Sequence, residues 1–258
     1  MQILLSNDDG HQAPGLKIMA ACLEKLGTLT VVVPDRNRSA ASNSLTLSRP
    51  LNARLTDNGY YKVDGTPTDC VHLAITGIMP VEPDIVISGP NDGPNMGDDV
   101  LYSGTVAAAT EGRFLGLPAV AVSMVKPEGR SEPEHFETAC WVIEKIIVGL
   151  QLAPLTEDTI LNVNVPDIPL EQVKGFQSTR LGNRHKSEGV IKQLNPRGEN
   201  VYWVGPPGEE QDAGEGTDFY AVKNGFVSVT PLQIDLTRYD SLQNLKQWLA
   251  ALQVAGDL

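Results

Sequence analysis

Five short apolar runs, at residues 3–5, 29–33, 85–87, 119–122 and 160–165, constrain this chain's fold more than any other feature. A run that is apolar at successive positions marks a strand covered on both faces, as in a parallel sheet. Stretches with helical spacing separate the runs. Leu16, Met19, Ala20, Leu23 and Leu26 repeat at three- and four-residue intervals after the first run, which predicts a helix over 15–26. Further helices are predicted over 66–76, where Pro67 sits in the first turn, over 105–115 and over 134–150. Asn58-Gly59 marks a hairpin turn. The pattern predicts an α/β fold with a doubly wound, mostly parallel, Rossmann-like sheet over residues 1–169.

Residues 170–258 differ in character and read as a C-terminal, hairpin-rich extension used for oligomerisation. Strand-like runs lie at 219–222, 226–230 and 232–236, and a helix is expected over 241–252. The stretch 209–218 holds five acids and no base, so it reads as a solvated loop.

Charge narrows the partners. With 32 acidic against 20 basic residues, a net charge of −12 disfavours a nucleic-acid groove or a polybasic membrane surface. Such a chain must neutralise a bound phosphate locally, with a cation, a helix N-terminus or placed arginines. Cys22, Cys70 and Cys140 form no CxxC pair, so neither a disulfide framework nor a zinc site is expected. The first strand starts at the first residues with no leader ahead of it, and no apolar run approaches the ~20 residues of a membrane span. The expected location is the cytoplasm.

Chemistry-bearing residues gather after three predicted strands, where open parallel sheets bind ligands. Asn7-Asp8-Asp9-Gly10 follows the first. Two adjacent carboxylates repel unless a hard cation such as Mg²⁺ or Mn²⁺ lies between them. Past the strand end both are expected to reach one crevice. The same four residues also suit a plain solvated turn. After the second strand, Arg36 and Arg38 could grip an anion and Ser39 could supply a further oxygen, or the arginines could pair with nearby acids. The third segment, residues 88–99, carries Gly89, Gly93 and Gly97 with Asn91 and Asn95 between them. Ser103, Gly104 and Thr105 then open a helix whose N-terminus suits phosphate, although either hydroxyl alone would serve as a simple cap. His11, His72, His135 and His185 show no triad or HxxxH spacing; only His11 lies near the pair.

Together these segments, with Asp64-Gly65-Thr66-Pro67-Thr68-Asp69 and the later 218–221 and 227–232, resemble the SurE family of stationary-phase survival proteins. Pro90 departs from the family pattern, where a small aliphatic residue is expected. The resemblance implies a 5′(3′)-nucleotidase that hydrolyses nucleoside monophosphates and also short polyphosphate. It implies one divalent ion per subunit, Mg²⁺ or Mn²⁺, held by Asp8, Asp9, Ser39 and Asn91. Asn95, Ser103, Gly104 and Thr105 fall where the family binds phosphate; Arg36 stays a candidate anion contact on its own chemistry. Asp8 and Asp9 are the catalytic candidates, as base or, for Asp8, as transient nucleophile. A homodimer or homotetramer built by exchange of C-terminal segments is also implied. Two rivals are a non-catalytic nucleotide sensor and a metal-dependent hydrolase of a different ester or amide.

Overall fold

Each apolar run becomes a strand, and the helical stretches cross between them. The computed structural model describes residues 1–156 and 158–255. Its strands up to the fifth are β1 (Gln2–Ser6), β2 (Thr28–Pro34), β3 (Ala53–Leu55), β4 (Tyr61–Val63) and β5 (Ile85–Asn91). They are followed by β6 (Ala119–Val125), β7 (Thr159–Pro166) and the short β8 (Phe176–Ser178). Next come β9 (Asn183–Arg184), β10 (Ile191–Leu194), β11 (Asn200–Trp203), β12 (Glu210–Asp212) and β13 (Val227–Gln233). The helices are α1 (Pro14–Leu23), α2 (Pro67–Leu73), α3 (Gly104–Phe114), α4 (Phe136–Leu152), α5 (Asp218–Lys223) and α6 (Leu242–Ala255). Among the described residues, the main sheet has nine strands in the order β3-β4-β2-β1-β5-β6-β7-β13-β8. Pairing is parallel except between β3 and β4 and between β7 and β13. The Asn58-Gly59 turn joins β3 to β4 as expected.

Side-chain alternation sorts each central strand onto two cores. Ile3, Leu5, Val31, Val33, Ile85, Ile87, Val120 and Val122 pack on the α1–α4 side. Leu4, Val32, Val86, Ala119 and Ala121 pack on the opposite side, among residues of α2 and α3. Small residues dominate there, which brings α3 close to the sheet.

Three expectations for the C-terminal region are corrected. Residues 219–222 form helix α5, not a strand. Thr217 Oγ1 accepts the Tyr220 amide (3.2 Å) and caps the first turn. Phe219 and Val222, three apart, then share a small apolar cluster with Met96. So short an apolar run fits either period. Stretch 209–218 is not a free loop, because β12 pairs with β9 and Asp218 is fully buried. The run 226–230 and the start of the run 232–236 merge into the single strand β13, which ends at Gln233 and leaves 234–236 outside any strand, with Pro231 beyond the three residues that β8 covers. Strands β8 and β13 thereby extend the sheet begun by the first 169 residues.

Candidate active site

The chain leaves β1 for β2 on one side and later returns to β5 on the other, so the topological switch point lies between β1 and β5. The Asp pair emerges there, as this architecture predicts for a ligand crevice. Alternation, however, persists past the end of β1. Asp8 follows Leu4 to the α2–α3 side, where Thr105 Oγ1 donates to its Oδ1 (2.5 Å). Asp9 follows Ile3 and Leu5 to the α1–α4 side, lining a cleft with Pro14 and Phe136. The two carboxylates flank the strand end, still close enough for the Asp8 charge to raise Asp9.

Three loops are laced around them. Asn7 closes its own turn, donating to the Gly10 carbonyl (3.0 Å) and accepting the Gly10 amide (3.2 Å). Gly10 has φ +93°, and a Cβ there would stand 2.8 Å from the Arg36 carbonyl carbon, so no other residue fits this contact. The Arg38 amide donates to the Asp8 carbonyl (2.7 Å), binding the second loop to the first. Asn37 Oδ1 accepts the Ser39 hydroxyl (2.7 Å) and amide (2.8 Å), while its Nδ2 donates to Asp9 Oδ1 (3.4 Å). The Asp92 amide donates to Asp9 Oδ2 (3.0 Å), drawing in the third loop. Asn91 directs Nδ2 to the Gly93 carbonyl (2.8 Å), which leaves its amide oxygen for another partner.

On the α3 side, Asn95 is buried in an amide web. Its main-chain amide donates to Asn164 Oδ1 (2.9 Å), and its carbonyl accepts Asn162 Nδ2 (2.8 Å) and Asn164 Nδ2 (2.9 Å). Its own Nδ2 donates to Ser123 Oγ (2.7 Å). Ser103 Oγ accepts the Val106 amide (3.0 Å) and caps α3. At Gly104 an added Cβ would lie 2.7 Å from Asp8 Cβ and 2.9 Å from Asp8 Oδ2. Gly104→Ala should therefore displace Asp8, lowering kcat/KM about a hundredfold while thermal melting shows a stability loss of only about 1–2 kcal/mol. Equal turnover in the variant would mean that Asp8's position is unimportant.

Comparison with known proteins adds lineage to this geometry. The pattern of the family described as Survival protein SurE matches residues 3–188. The 5′-nucleotidase SurE of Nitrosococcus oceani is 60% identical over 249 residues, covering 96% of this chain and 98% of that protein. That of Methylococcus capsulatus is 61% identical over 249 residues, with the same coverage. The chain belongs to the SurE family. Among solved structures, the crystal structure of the SurE protein from Aquifex aeolicus superposes with a TM-score of 0.83 at 44% identity, covering 96% of this chain and 99% of that one.

Electrostatics test whether a cation fits the ligand set that the SurE resemblance implies. Burial pushes the Asp8 carboxyl above its ordinary range, although the Thr105 hydroxyl and nearby amides oppose the shift. Asp9 is pushed up to about 6, first by burial and then by the Asp8 charge, with the Asp92 amide and Lys126 opposing. Among the described residues, no group of three or more His, Cys, Asp or Glu is placed to hold a metal. A cation here would draw on the Asp pair with the Ser39 and Asn91 oxygens that the SurE resemblance implies, a donor set suited to Mg²⁺ or Mn²⁺. Fully buried Ser6 Oγ and Ser88 Oγ, on residues opposite one another in β1 and β5, have no partner among the described residues, nor does Asn162 Oδ1. The residues present fit a bound cation and a polar ligand.

Arg36, Arg38 and His11 lie in the loops next to the Asp pair. Arg36 is exposed, with its backbone packed on Gly10. Arg38 instead binds Asp35 Oδ1 (3.4 Å) and the Asp64 carbonyl (3.2 Å). The His11 amide donates to the Pro34 carbonyl (3.1 Å), and its Nδ1 is buried without a partner among the described residues. Sequence reasoning missed Asn37, Ser123, Asn162, Asn164 and Lys126. Three of these carried a readable signal: Asn162 and Asn164 alternate with Leu161, Val163 and Val165, and Ser123 ends the run begun at Ala119. Polar residues of one parity on a buried strand require a polar neighbour.

Proposed function

We propose that this chain is a divalent-metal-dependent 5′-nucleotidase that hydrolyses nucleoside monophosphates to nucleoside and phosphate. It extends to 3′-monophosphates and short polyphosphate. The single observation that carries the reading is the placement of Asp8 and Asp9 at the switch point, with Asn95 and the start of α3 on one flank. The names of the curated relatives support it. A cation bound by Asp8, Asp9, Ser39 and Asn91 would polarise a phosphoryl oxygen and acidify water. The chain's own groups do the rest. The Asn95 side chain and the 103–105 turn orient the remaining phosphoryl oxygens, and Thr105 fixes the Asp8 rotamer. Water attacks phosphorus and gives up a proton as the bond from phosphorus to the ester oxygen breaks, and the departing ester oxygen takes up a proton to leave as the nucleoside hydroxyl.

The first experiment is a phosphate-release screen over nucleotides, sugar phosphates and polyphosphate, with Mg²⁺ or Mn²⁺ and again in EDTA. Nucleoside monophosphates should lead, and EDTA should lower the rate at least about a hundredfold. Nucleotide binding without release under every metal would establish a sensor instead.

We also read the protein as a cytoplasmic homodimer or homotetramer. Among the described residues, no helix is long and apolar enough to cross a membrane. The β10–β11 hairpin exposes Leu194, Tyr202 and Trp203 at 69%, 60% and 62%. Leu242, Leu245, Trp248, Leu249 and Leu252 form an exposed stripe along α6. Apolar surface of this extent is covered in stable proteins, and a second copy supplies the cover. Leu245→Glu combined with Trp248→Glu should reduce the mass in light scattering to a smaller assembly. An unchanged mass would remove α6 from the interface.

A further inference from the structure

We propose that Cys22 and Cys140 form a redox pair, which an oxidant of the hydroperoxide class joins into an intramolecular disulfide between α1 and α4. The thiols are free in this structure. Their spacing along the chain hides the pair, since the two positions stand 118 residues apart. Folding removes that separation. Leu16, Met19 and Leu23 of α1 pack in one core with Phe136, Ala139 and Ile143 of α4. Cys22 lies buried beside this seam and Cys140 half-buried.

Each thiol reaches across the seam to the other helix. Cys22 Sγ donates to the Cys140 carbonyl (3.8 Å), and Cys140 Sγ donates to the carbonyl of Ile18 (3.8 Å), one turn before Cys22. The sulfurs also lie close enough for the Cys22 thiol to donate to the Cys140 sulfur. Bridging then needs side-chain rotation and no movement of either helix, the usual obstacle to pairing cysteines of distant segments. One turn after Cys140, Glu144 Oε1 accepts from Cys22 Sγ (3.2 Å). The third cysteine stands apart: Cys70 is fully buried in α2, against the opposite face of the sheet.

Exposure divides the work between the two thiols. Burial, then the carboxylates of Glu144 and Glu137, push the Cys140 thiol up, while the Cys22 thiol and Lys25 oppose. Burial also pushes Cys22 up, and further. Oxidation is therefore slow and begins at the more accessible Cys140. With hydrogen peroxide its thiolate attacks one oxygen, the O–O bond breaks, the departing hydroxide takes a proton, and Cys140 becomes a sulfenic acid. The Cys22 sulfur then attacks the Cys140 sulfur. Its proton passes by way of Glu144 to the leaving hydroxide, so two thiols and one peroxide give one disulfide and two waters. Pro14 at the start of α1 and Phe136 at the start of α4 both line the cleft beside Asp9. The bridge thus ties together the two helices that flank this carboxylate.

The test treats reduced full-length protein with hydrogen peroxide at about pH 8, where thiolate is accessible, and counts thiols in denaturant. The count should fall from three to one, with a mass loss of two hydrogens and a linked peptide pair carrying Cys22 and Cys140. Dithiothreitol should restore all three thiols. Because the bridge closes a long loop, oxidised protein should melt about 5 °C or more above reduced protein. Cys22→Ser and Cys140→Ser should each abolish the mass loss, and Cys70→Ser should keep it. If a serine variant fails to fold, the linked peptides of the wild type decide alone. Three thiols after a treatment that fully oxidises dithiothreitol would overturn the pair. So would Cys140 oxidised to sulfinic acid beside a reduced Cys22, a covalent dimer through Cys140, or a bridged protein that melts below the reduced one.

Discussion

Asp9→Asn should lower kcat/KM for a nucleoside 5′-monophosphate about a thousandfold or more, yet stabilise the metal-free protein at neutral pH. The activity loss follows from removing one of the two carboxylates of the proposed cation site, to which no third His, Cys, Asp or Glu is placed to add among the described residues. The stability gain follows from the sign of the pKa shift. Asp9 is held at about 6 in the folded state against an ordinary 3.8, so the folded state binds its proton more tightly. The favourable contribution is complete below about pH 4 and is lost as pH rises through about 6. Ionisation at pH 7 then costs the folded state up to about 3 kcal/mol. Two hydrogen bonds, from Asn37 Nδ2 and the Asp92 amide, weaken in the variant and return part of that gain.

Urea unfolding in EDTA across pH 4–8 should show wild-type stability falling with pH and a flatter curve for the variant. Mg²⁺ should raise the wild-type midpoint and leave the variant's nearly unmoved. Wild-type turnover in Asp9→Asn would mean that the site is elsewhere.

Asp218→Ala carries the largest expected stability loss, about 3–5 kcal/mol. This fully buried carboxylate accepts the Gly97 amide at Oδ2 (2.8 Å) and the Gly182 and Phe219 amides at Oδ1 (2.9 and 3.0 Å). Its place at the start of α5 adds the favourable end of that helix's dipole. Truncation strands two amides from distant segments in a water-free interior, and each costs about 1–3 kcal/mol. The turn at Gly97–Leu101 separates Asn95 from Ser103, so its release should also impair phosphate binding. Urea denaturation of Asp218→Ala and Asp218→Asn should rank wild type above Asn above Ala. An alanine variant within about 1 kcal/mol of wild type would show that the clamp is not needed.

The two residues differ in how much of their setting the chain alone displays. Asp9 was singled out because adjacent carboxylates after an apolar run repel, a local property, although the same residues also suit a plain turn. Asp218 was read as part of a solvated acidic stretch because its partners lie 121 and 36 residues away. Nothing in 209–218 reveals that two glycine amides will converge on one of its acids. Asn37 was passed over for a similar reason. Its role is to join Ser39 to Asp9, and that link exists only once the first two loops meet.

By itself, the sequence determined the buried strands of the core, the crossover helices and the gathering of polar residues at strand ends; their order in the sheet came from the structure. Burial on both faces writes itself into successive apolar residues, and that signal needs no distant partner. The Asn-Asp-Asp-Gly segment was likewise recognisable before any fold was known. Only the tertiary structure decided that Asp8 turns to α3 and Asp9 to the α1–α4 cleft. Neighbours from other loops fix the way each side chain turns: the Arg38 amide takes the Asp8 carbonyl, and the Asn37 side chain and Asp92 amide take the Asp9 carboxylate. Which acid faces a cation, which clamps two backbones and which meets water depends on amides brought from elsewhere in the chain. That choice belongs to packing and not to local preference.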